Sequence, residues 1–453
     1  MIKSILIFLC SFLALGSSFG QGYHIEAKFK GIKDSTCYLS YYFENQNYIQ
    51  DSSRINAGGQ VVFKGTTPLK GGIYNIMIGN WRSFDILIGE QVFSLEADPN
   101  DLINTLKFKG SRENDLYYAY QKKIYQEALK LKGLSTKTDS VSQYQLMETQ
   151  FELGQYQKKF VKAFEGSFAS KVIRASMQQE LPPATKLPDG TDDPLWQNKF
   201  YVNHYFDNID LSDERFIRSS YVYRPLNEYF MELDFLPADS LKILTENIIR
   251  RAKKGSEMRK YLTSTLTNHF EVSKTMGHDA VFVNLMQKHY VEEPELWDST
   301  TVRLVRERVS FLSHLLIGSK IPELRLTDVD GQQRKLHDVK ANITVLYIYG
   351  ADCSHCQYYT PQLVNLLKKY KAKGLEVFAP IFGNNETTWK EFISNYNASS
   401  FINVMDKTGN ISFYQEFDAQ YTPTIYVLDK NKNIIAKGNM SIATMEKIIS
   451  SNL

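Results

Sequence analysis

Four consecutive residues, Cys353-Ser354-His355-Cys356, hold two thiols three positions apart. The apolar run from Thr344 to Tyr349 ahead of them reads as a strand, and Ser354 to Lys373 reads as a helix. The pair therefore sits where a strand passes into a helix. Cysteines at this spacing can close a disulfide there with little backbone movement. The first lies at the helix N-terminus, where unpaired N–H groups and the helix dipole favour an anion. The thiolate is the nucleophile of disulfide exchange, so a lowered thiol pKa raises reactivity at neutral pH. On this reading Cys353 is the exposed attacking thiolate. Cys356, one turn further in, is the buried resolving thiol.

The neighbours decide how that chemistry is poised. A protonated His355 beside the Cys353 sulfur would stabilise the thiolate, and with it the reduced form, making the pair more oxidising. The alternative is a solvated His with no tuning role. Ser354 and Asp352 are the other tuning positions; a carboxylate at Asp352 would raise the thiol pKa and oppose His355. A C-x-x-C can also be half of a zinc site, but that needs two more ligands at metal spacing. Once a leader carrying Cys10 is removed, only Cys37 remains besides the pair, far upstream, and no H-x-x-x-H lies nearby. No metal and no cofactor are expected.

A second feature is Thr422-Pro423, which opens the strand Thr424-Ile425-Tyr426-Val427. A proline at the start of a strand can be cis and lacks an N–H, leaving the preceding backbone free to pair with an extended substrate. Thr422 and Pro423 are therefore the candidate substrate-binding residues.

With both motifs in place, residues 317–453 resemble the TlpA/ResA-like branch of the thioredoxin superfamily. The resemblance rests on Ile321-Pro322-Glu323-Leu324, the Asp330-Gly331 turn, Val345 to Tyr349, the Cys353–Cys356 motif, Pro361 and Thr422-Pro423. It covers under a third of the chain. It implies a thioredoxin fold with an added N-terminal hairpin, and exchange with periplasmic partners docking against the cis-proline loop. The front of the chain resembles the β-rich and helical domains that precede thioredoxin modules in secreted bacterial oxidoreductases, a likeness that assigns no activity. Three positions depart from the pattern. Asp352 stands where a Trp is common, Tyr347 where thioredoxin carries a buried acid, and Tyr359 where this branch carries a Glu. Those acids help move the proton off the buried thiol, so their absence bears on rate and pH dependence.

Elements to position such a site are present. The chain has 453 residues, and at roughly 100–200 residues per domain that implies two to four domains. Residues 1–20 read as a signal peptide: Lys3, then the apolar run Ile5 to Leu15, then Ser18-Phe19-Gly20 before cleavage at Gln21. A lipoprotein signal on Cys10 would need small residues where Ile7-Phe8-Leu9 stand. No later stretch is apolar enough to cross a membrane, so the mature protein is expected outside the cytoplasm, in the periplasm or an equivalent compartment. Residues 21–110 read as a small antiparallel β sandwich or barrel. Tyr23, Ile25, Ala27 and Phe29 alternate with polar residues, and strand runs follow at Cys37 to Phe43, Val61 to Lys64, Ile73 to Ile78 and Phe84 to Ile88. Residues 111–316 read as an α-helical domain, interrupted by Pro182 to Pro194; Asp239 or Ser240 is the expected cap of a helix running to Lys253. Residues 317–453 alternate strands and helices and form the α/β thioredoxin domain.

Other features have plain readings. Cys37 is read as a buried structural thiol, and His278 and His289 as surface or core residues rather than ligands. Tyr38, Tyr41, Tyr42 and Tyr48 are read as strand packing, with a carbohydrate-binding face as the alternative. With 53 basic and 50 acidic residues the charge is nearly balanced, which gives no argument for a nucleic-acid partner. The leading expectation is a periplasmic thiol–disulfide oxidoreductase acting on protein thiols and disulfides, with an unidentified redox partner. The alternatives are a secreted binding protein whose thioredoxin domain is structural, and a thiol peroxidase. The latter lacks its Thr or Ser in Ile348-Tyr349-Gly350-Ala351-Asp352.

Overall fold

The computed structural model describes residues 22–79, 82–383 and 385–453. The signal-peptide reading of residues 1–20, and Cys10 within it, lie outside the described residues. By its contacts the chain divides into two compact units, one ending at Tyr229 and one beginning at Phe230.

The first unit opens with the strands β1 (Tyr23–Phe29), β2 (Thr36–Phe43), β3 (Gln46–Arg54), β4 (Gln60–Gly65), β5 (Gly72–Ile78), β6 (Arg82–Ile88), β7 (Val92–Ala97) and, after the short helix Leu102–Thr105, β8 (Lys107–Lys109). They form two four-stranded sheets, ordered β4-β1-β7-β8 and β3-β2-β5-β6. The alternation read from β1 is real: Tyr23, Ile25, Ala27 and Phe29 are buried. Ile25 and Phe63 from one sheet share a core with Leu39, Ile76 and Ile86 from the other. This is the expected β-rich sandwich with one departure: β1 and β7 pair in parallel, while the other pairings are antiparallel. A parallel pair needs a long connection, so no turn signal announces it. Cys37 is fully buried, and burial pushes its thiol up to about 12. Tyr41 stacks on Tyr48 across the β2–β3 pair, with ring centroids 5.9 Å apart.

The helices Arg112–Ser135, Ser140–Ala163 and Phe168–Ala175 follow. Each opens on a cap, Ser111, Asp139 and Ser167, whose side chain accepts an amide three residues on. In the second unit the helix Ala238–Ile249 starts earlier than read. Neither Asp239 nor Ser240 caps it; the Ser240 amide already donates to the Pro237 carbonyl at 3.0 Å, which places Ser240 inside the helix. The helices Glu257–Glu271, Asp279–Met286 and Ser299–Leu312 lead to the last domain. Among the described residues no helix is long and apolar enough to cross a membrane.

The last domain is a seven-stranded sheet: β9 (Arg325–Asp328), β10 (Gln333–Lys335), β11 (Ile343–Ile348), β12 (Leu375–Ile381), β13 (Ile402–Met405), β14 (Thr424–Leu428) and β15 (Ile434–Lys437), in the order β10-β9-β13-β12-β11-β14-β15. β11, β12 and β13 run parallel; β14 is antiparallel to β11, and β15 is antiparallel to β14. The β9–β10 hairpin is the expected N-terminal addition, turning through Gly331 at φ 82. β11 is buried along its whole length, because both faces of the sheet are covered. Val345, Tyr347 and Tyr349 enter one core with Leu363, Leu366, Trp389 and Phe392. Leu346 and Ile348 enter the other with Leu315, Ile321, Phe413 and Phe417. Trp389 is fully buried in the first core. Trp389→Ala should cost about 3–5 kcal/mol of stability, read from denaturant unfolding of the full chain.

Candidate active site

The central strand β11 runs on through Tyr349-Gly350-Ala351-Asp352 and delivers Cys353 to the first turn of the helix Ser354–Tyr370. Cys353 is the N-cap residue (φ −86, ψ 111), and its sulfur accepts the Cys356 amide at 3.2 Å. The groups that normally bind a Ser or Asp cap here face a thiol. From the other side the Cys353 Sγ donates to the Thr422 carbonyl at 3.1 Å. The Thr422–Pro423 peptide is cis. The two motifs, far apart in sequence, thus meet at one sulfur.

Cys353 is partly exposed and Cys356 fully buried, and both are free thiols. Their electrostatics diverge. Burial would push the Cys353 thiol up, but hydrogen bonds from the Cys356 thiol, from the Thr422 side chain and from the Cys356 and His355 amides hold it below its ordinary value. Burial raises the Cys356 thiol, and the neighbouring Cys353 sulfur raises it further. Asp352, Ser354 and His355 are all exposed. The contribution of His355 on which the Cys353 shift draws is its backbone N–H.

Beneath Cys356 the two tyrosines stand in the core. The Tyr347 hydroxyl lies 2.9 Å from Thr360 Oγ1 and donates to the Cys356 carbonyl at 3.3 Å. Thr360 Oγ1 also donates to that carbonyl, at 2.8 Å. Tyr359 stacks on Tyr347 and donates to the Met440 carbonyl at 3.0 Å. Burial raises both phenols, so neither is a base at neutral pH. Sequence reasoning missed two residues here. A Cβ at Gly350 would stand 3.2 Å from Thr422 Oγ1 and 3.5 Å from Cys353 Cβ, so the close approach of the two motifs favours glycine. Thr360, next to the helix proline Pro361, marked itself by nothing in its type. Among the described residues no group of three or more His, Cys, Asp or Glu side chains is arranged to hold a metal ion.

A parallel-cored sheet with a cysteine pair at a strand–helix junction and a cis-proline loop against the first sulfur defines a thioredoxin-type dithiol domain. Its family follows from sequence comparison: residues 317–437 match the AhpC/TSA family, and the C-terminal domain belongs to it. Residues 23–117 and 162–313 match two families of unknown function, DUF4369 and DUF5106. The thiol-disulfide oxidoreductase ResA of Bacillus thuringiensis is 28% identical over 135 residues, 29% of this chain and 76% of that protein. A thioredoxin-like protein from Bacteroides caccae superposes with a TM-score of 0.51 at 19% identity, over 61% of this chain and 100% of its own. A domain of a possible thiol-disulfide isomerase from Cytophaga hutchinsonii is 36% identical, over 30% of this chain and 92% of that chain, with a TM-score of 0.29. The relatives of this domain are thiol–disulfide oxidoreductases.

Proposed function

We propose that the protein is a periplasmic thiol–disulfide oxidoreductase that exchanges disulfides with protein substrates through Cys353 and Cys356. The observation that carries this reading is the Cys353 sulfur, held between a first-turn amide and the Thr422 carbonyl with a buried thiol one turn behind. In the reducing direction the Cys353 thiolate attacks one sulfur of a substrate disulfide. That S–S bond breaks, and the leaving sulfur departs as a thiolate and takes a proton. Cys356 then loses its proton and attacks the Cys353 sulfur of the mixed disulfide, releasing the second substrate thiol. The substrate gains two electrons and the protein keeps a Cys353–Cys356 disulfide; the reverse sequence oxidises a dithiol. Thr422 and Pro423 dock the extended substrate segment beside the sulfur.

The full mature chain should reduce insulin disulfides with dithiothreitol as electron source and consume hydrogen peroxide no faster than a free thiol. Peroxide turnover without disulfide turnover would reverse the assignment. Export rests on residues 1–20, and the protein recovered from the native host should begin at Gln21. A mature protein that keeps Met1 would refute export by cleavage.

The His355 backbone N–H is kept in an alanine variant, so only its exposed side chain is tested by substitution. An exposed ion pair is worth about 0.2–1 kcal/mol, and on the scale of 30 mV per 1.4 kcal/mol, His355→Ala should lower the reduction potential by no more than about 20 mV. No change at all would remove His355 from the tuning set.

A further inference from the structure

We propose that the helix Ser299–Leu312 is a positioning element for the substrate-docking loop, acting through an ion pair between Arg308 and Asp418. The proposal rests on the functional reading of Cys353 and Thr422 above. The Arg308 guanidinium reaches Asp418 Oδ1 at 2.9 Å, with the two side chains 30% and 29% exposed. Asp418 ends the short helix Phe413–Phe417 in a left-handed conformation, φ 49, and is the first residue of the run that leads through Ala419, Gln420 and Tyr421 to Thr422-Pro423. Its Oδ1 also accepts from Gln420 Nε2 at 3.2 Å, and its carbonyl accepts the Gln420 amide at 2.9 Å. The aspartate therefore sets the direction in which the loop departs, and Arg308 holds the aspartate.

The far end of the loop is held by the same helical layer. The loop runs into β14, whose Tyr426 pairs with Lys437 on β15. Lys437 forms an ion pair with Asp279, at the start of the helix Asp279–Met286, and donates to the Leu315 carbonyl at 2.6 Å. Tyr426 in turn donates to the Phe417 carbonyl at 2.7 Å, closing the two ends on each other. Leu315 is buried in the same core as Phe413, Phe417 and Tyr426, with Phe311 packed against it. Between these anchors Tyr421 is 82% exposed, and the Thr422 carbonyl meets the Cys353 sulfur. Ala419 is buried beside Phe413, Gln420 and Tyr421 are exposed, and the Tyr421 carbonyl accepts from the Thr424 hydroxyl at 2.6 Å, so the exposed tip takes its position from its two ends. Arg308 touches neither sulfur, so it is a positioning residue. Releasing it widens the ensemble of loop conformations, and a docking substrate must then order the loop at the cost of affinity.

The test uses the full chain. Arg308→Gln removes the cation, and Asp418→Asn removes the anion while keeping a residue that tolerates left-handed backbone. Either variant should raise KM for a disulfide-bonded peptide about 1.5-fold to fivefold, the range of a solvent-accessible ion pair, with kcat changing less. Each should shift the pH midpoint of Cys353 alkylation upward, because the Thr422 side chain, which the loop positions, contributes to holding that thiol down. The double variant should be no worse than either single one, and Arg308→Lys should restore most of the loss. Hydrogen exchange should quicken in residues 418–424 and stay unchanged in 354–370. Unchanged KM and midpoint in Arg308→Gln, or fully additive losses in the double variant, would overturn the proposal. Failure of the functional reading is separate: the unmodified chain would then reduce no disulfide, while hydrogen exchange would still decide whether Arg308 holds the loop.

Discussion

Cys356→Ala should convert the protein from a turning-over enzyme into a trap. Cys353 loses the hydrogen bond from the Cys356 thiol but keeps the first-turn amides and the Thr422 side chain that lower its pKa, so its attack on a substrate disulfide survives. The mixed disulfide then has no internal thiol to resolve it, because Cys37 is buried in the other unit's sandwich core. Turnover with insulin should fall at least about a thousandfold, the scale seen when a residue acting as part of a catalytic unit is removed. Covalent adducts should accumulate that dithiothreitol releases. Cys353→Ser should abolish turnover and adducts alike. The check is non-reducing electrophoresis with mass mapping of the adducts; adducts on Cys37, or adducts that persist in Cys353→Ser, would break the assignment of roles.

The second large effect is on pH. In the mixed disulfide Cys353 carries no charge, yet burial still holds the Cys356 thiol well above its ordinary range. Resolution requires that proton to leave. Tyr347 and Tyr359 line the interior beneath it, and burial keeps both phenols protonated. Among the described residues no carboxylate is one of the groups that act on the Cys356 thiol, so resolution should quicken about tenfold for each pH unit between about 7 and 9, following the thiolate fraction. Attack by Cys353 should level off at lower pH, since that thiol is held below its ordinary value. Rapid-mixing release of thionitrobenzoate from a preformed Cys353 adduct separates the two steps. Tyr347→Glu should flatten the resolution profile, provided the variant folds; the unaltered chain decides the matter on its own. A resolution rate that is flat between pH 6 and 8 would contradict the account.

The parts of the site that could be read from residues alone are those encoded by short spacing. Cys353 and Cys356 announce a strand–helix junction because the apolar run and the helix both abut them. Thr422-Pro423 announces itself because a proline opens an apolar strand. What joins the two motifs is tertiary: a hydrogen bond between a sulfur and a carbonyl nearly seventy residues apart, and a glycine at 350 that permits the approach. The same division runs through the fold. β1 was legible from its alternation, whereas β3 was not, since most of its residues are exposed and polar. The parallel pairing of β1 with β7 follows from packing around a shared core and leaves no local mark. Asp239 and Ser240 looked like caps by type, but the helix begins before them at Ala238. Arg308 and Asp418 carry no motif and meet only through the core on which Leu315 and Phe417 pack.

The most direct test of the dithiol itself is a redox titration of the full chain in glutathione buffers of graded ratio. Free thiols would be alkylated at each point and mapped by mass. Cys353 and Cys356 should disappear together along a single two-electron curve, while Cys37 stays reduced throughout. If the two cysteines remain unbridged in fully oxidising buffer, or titrate independently of each other, the protein does not work by this pair.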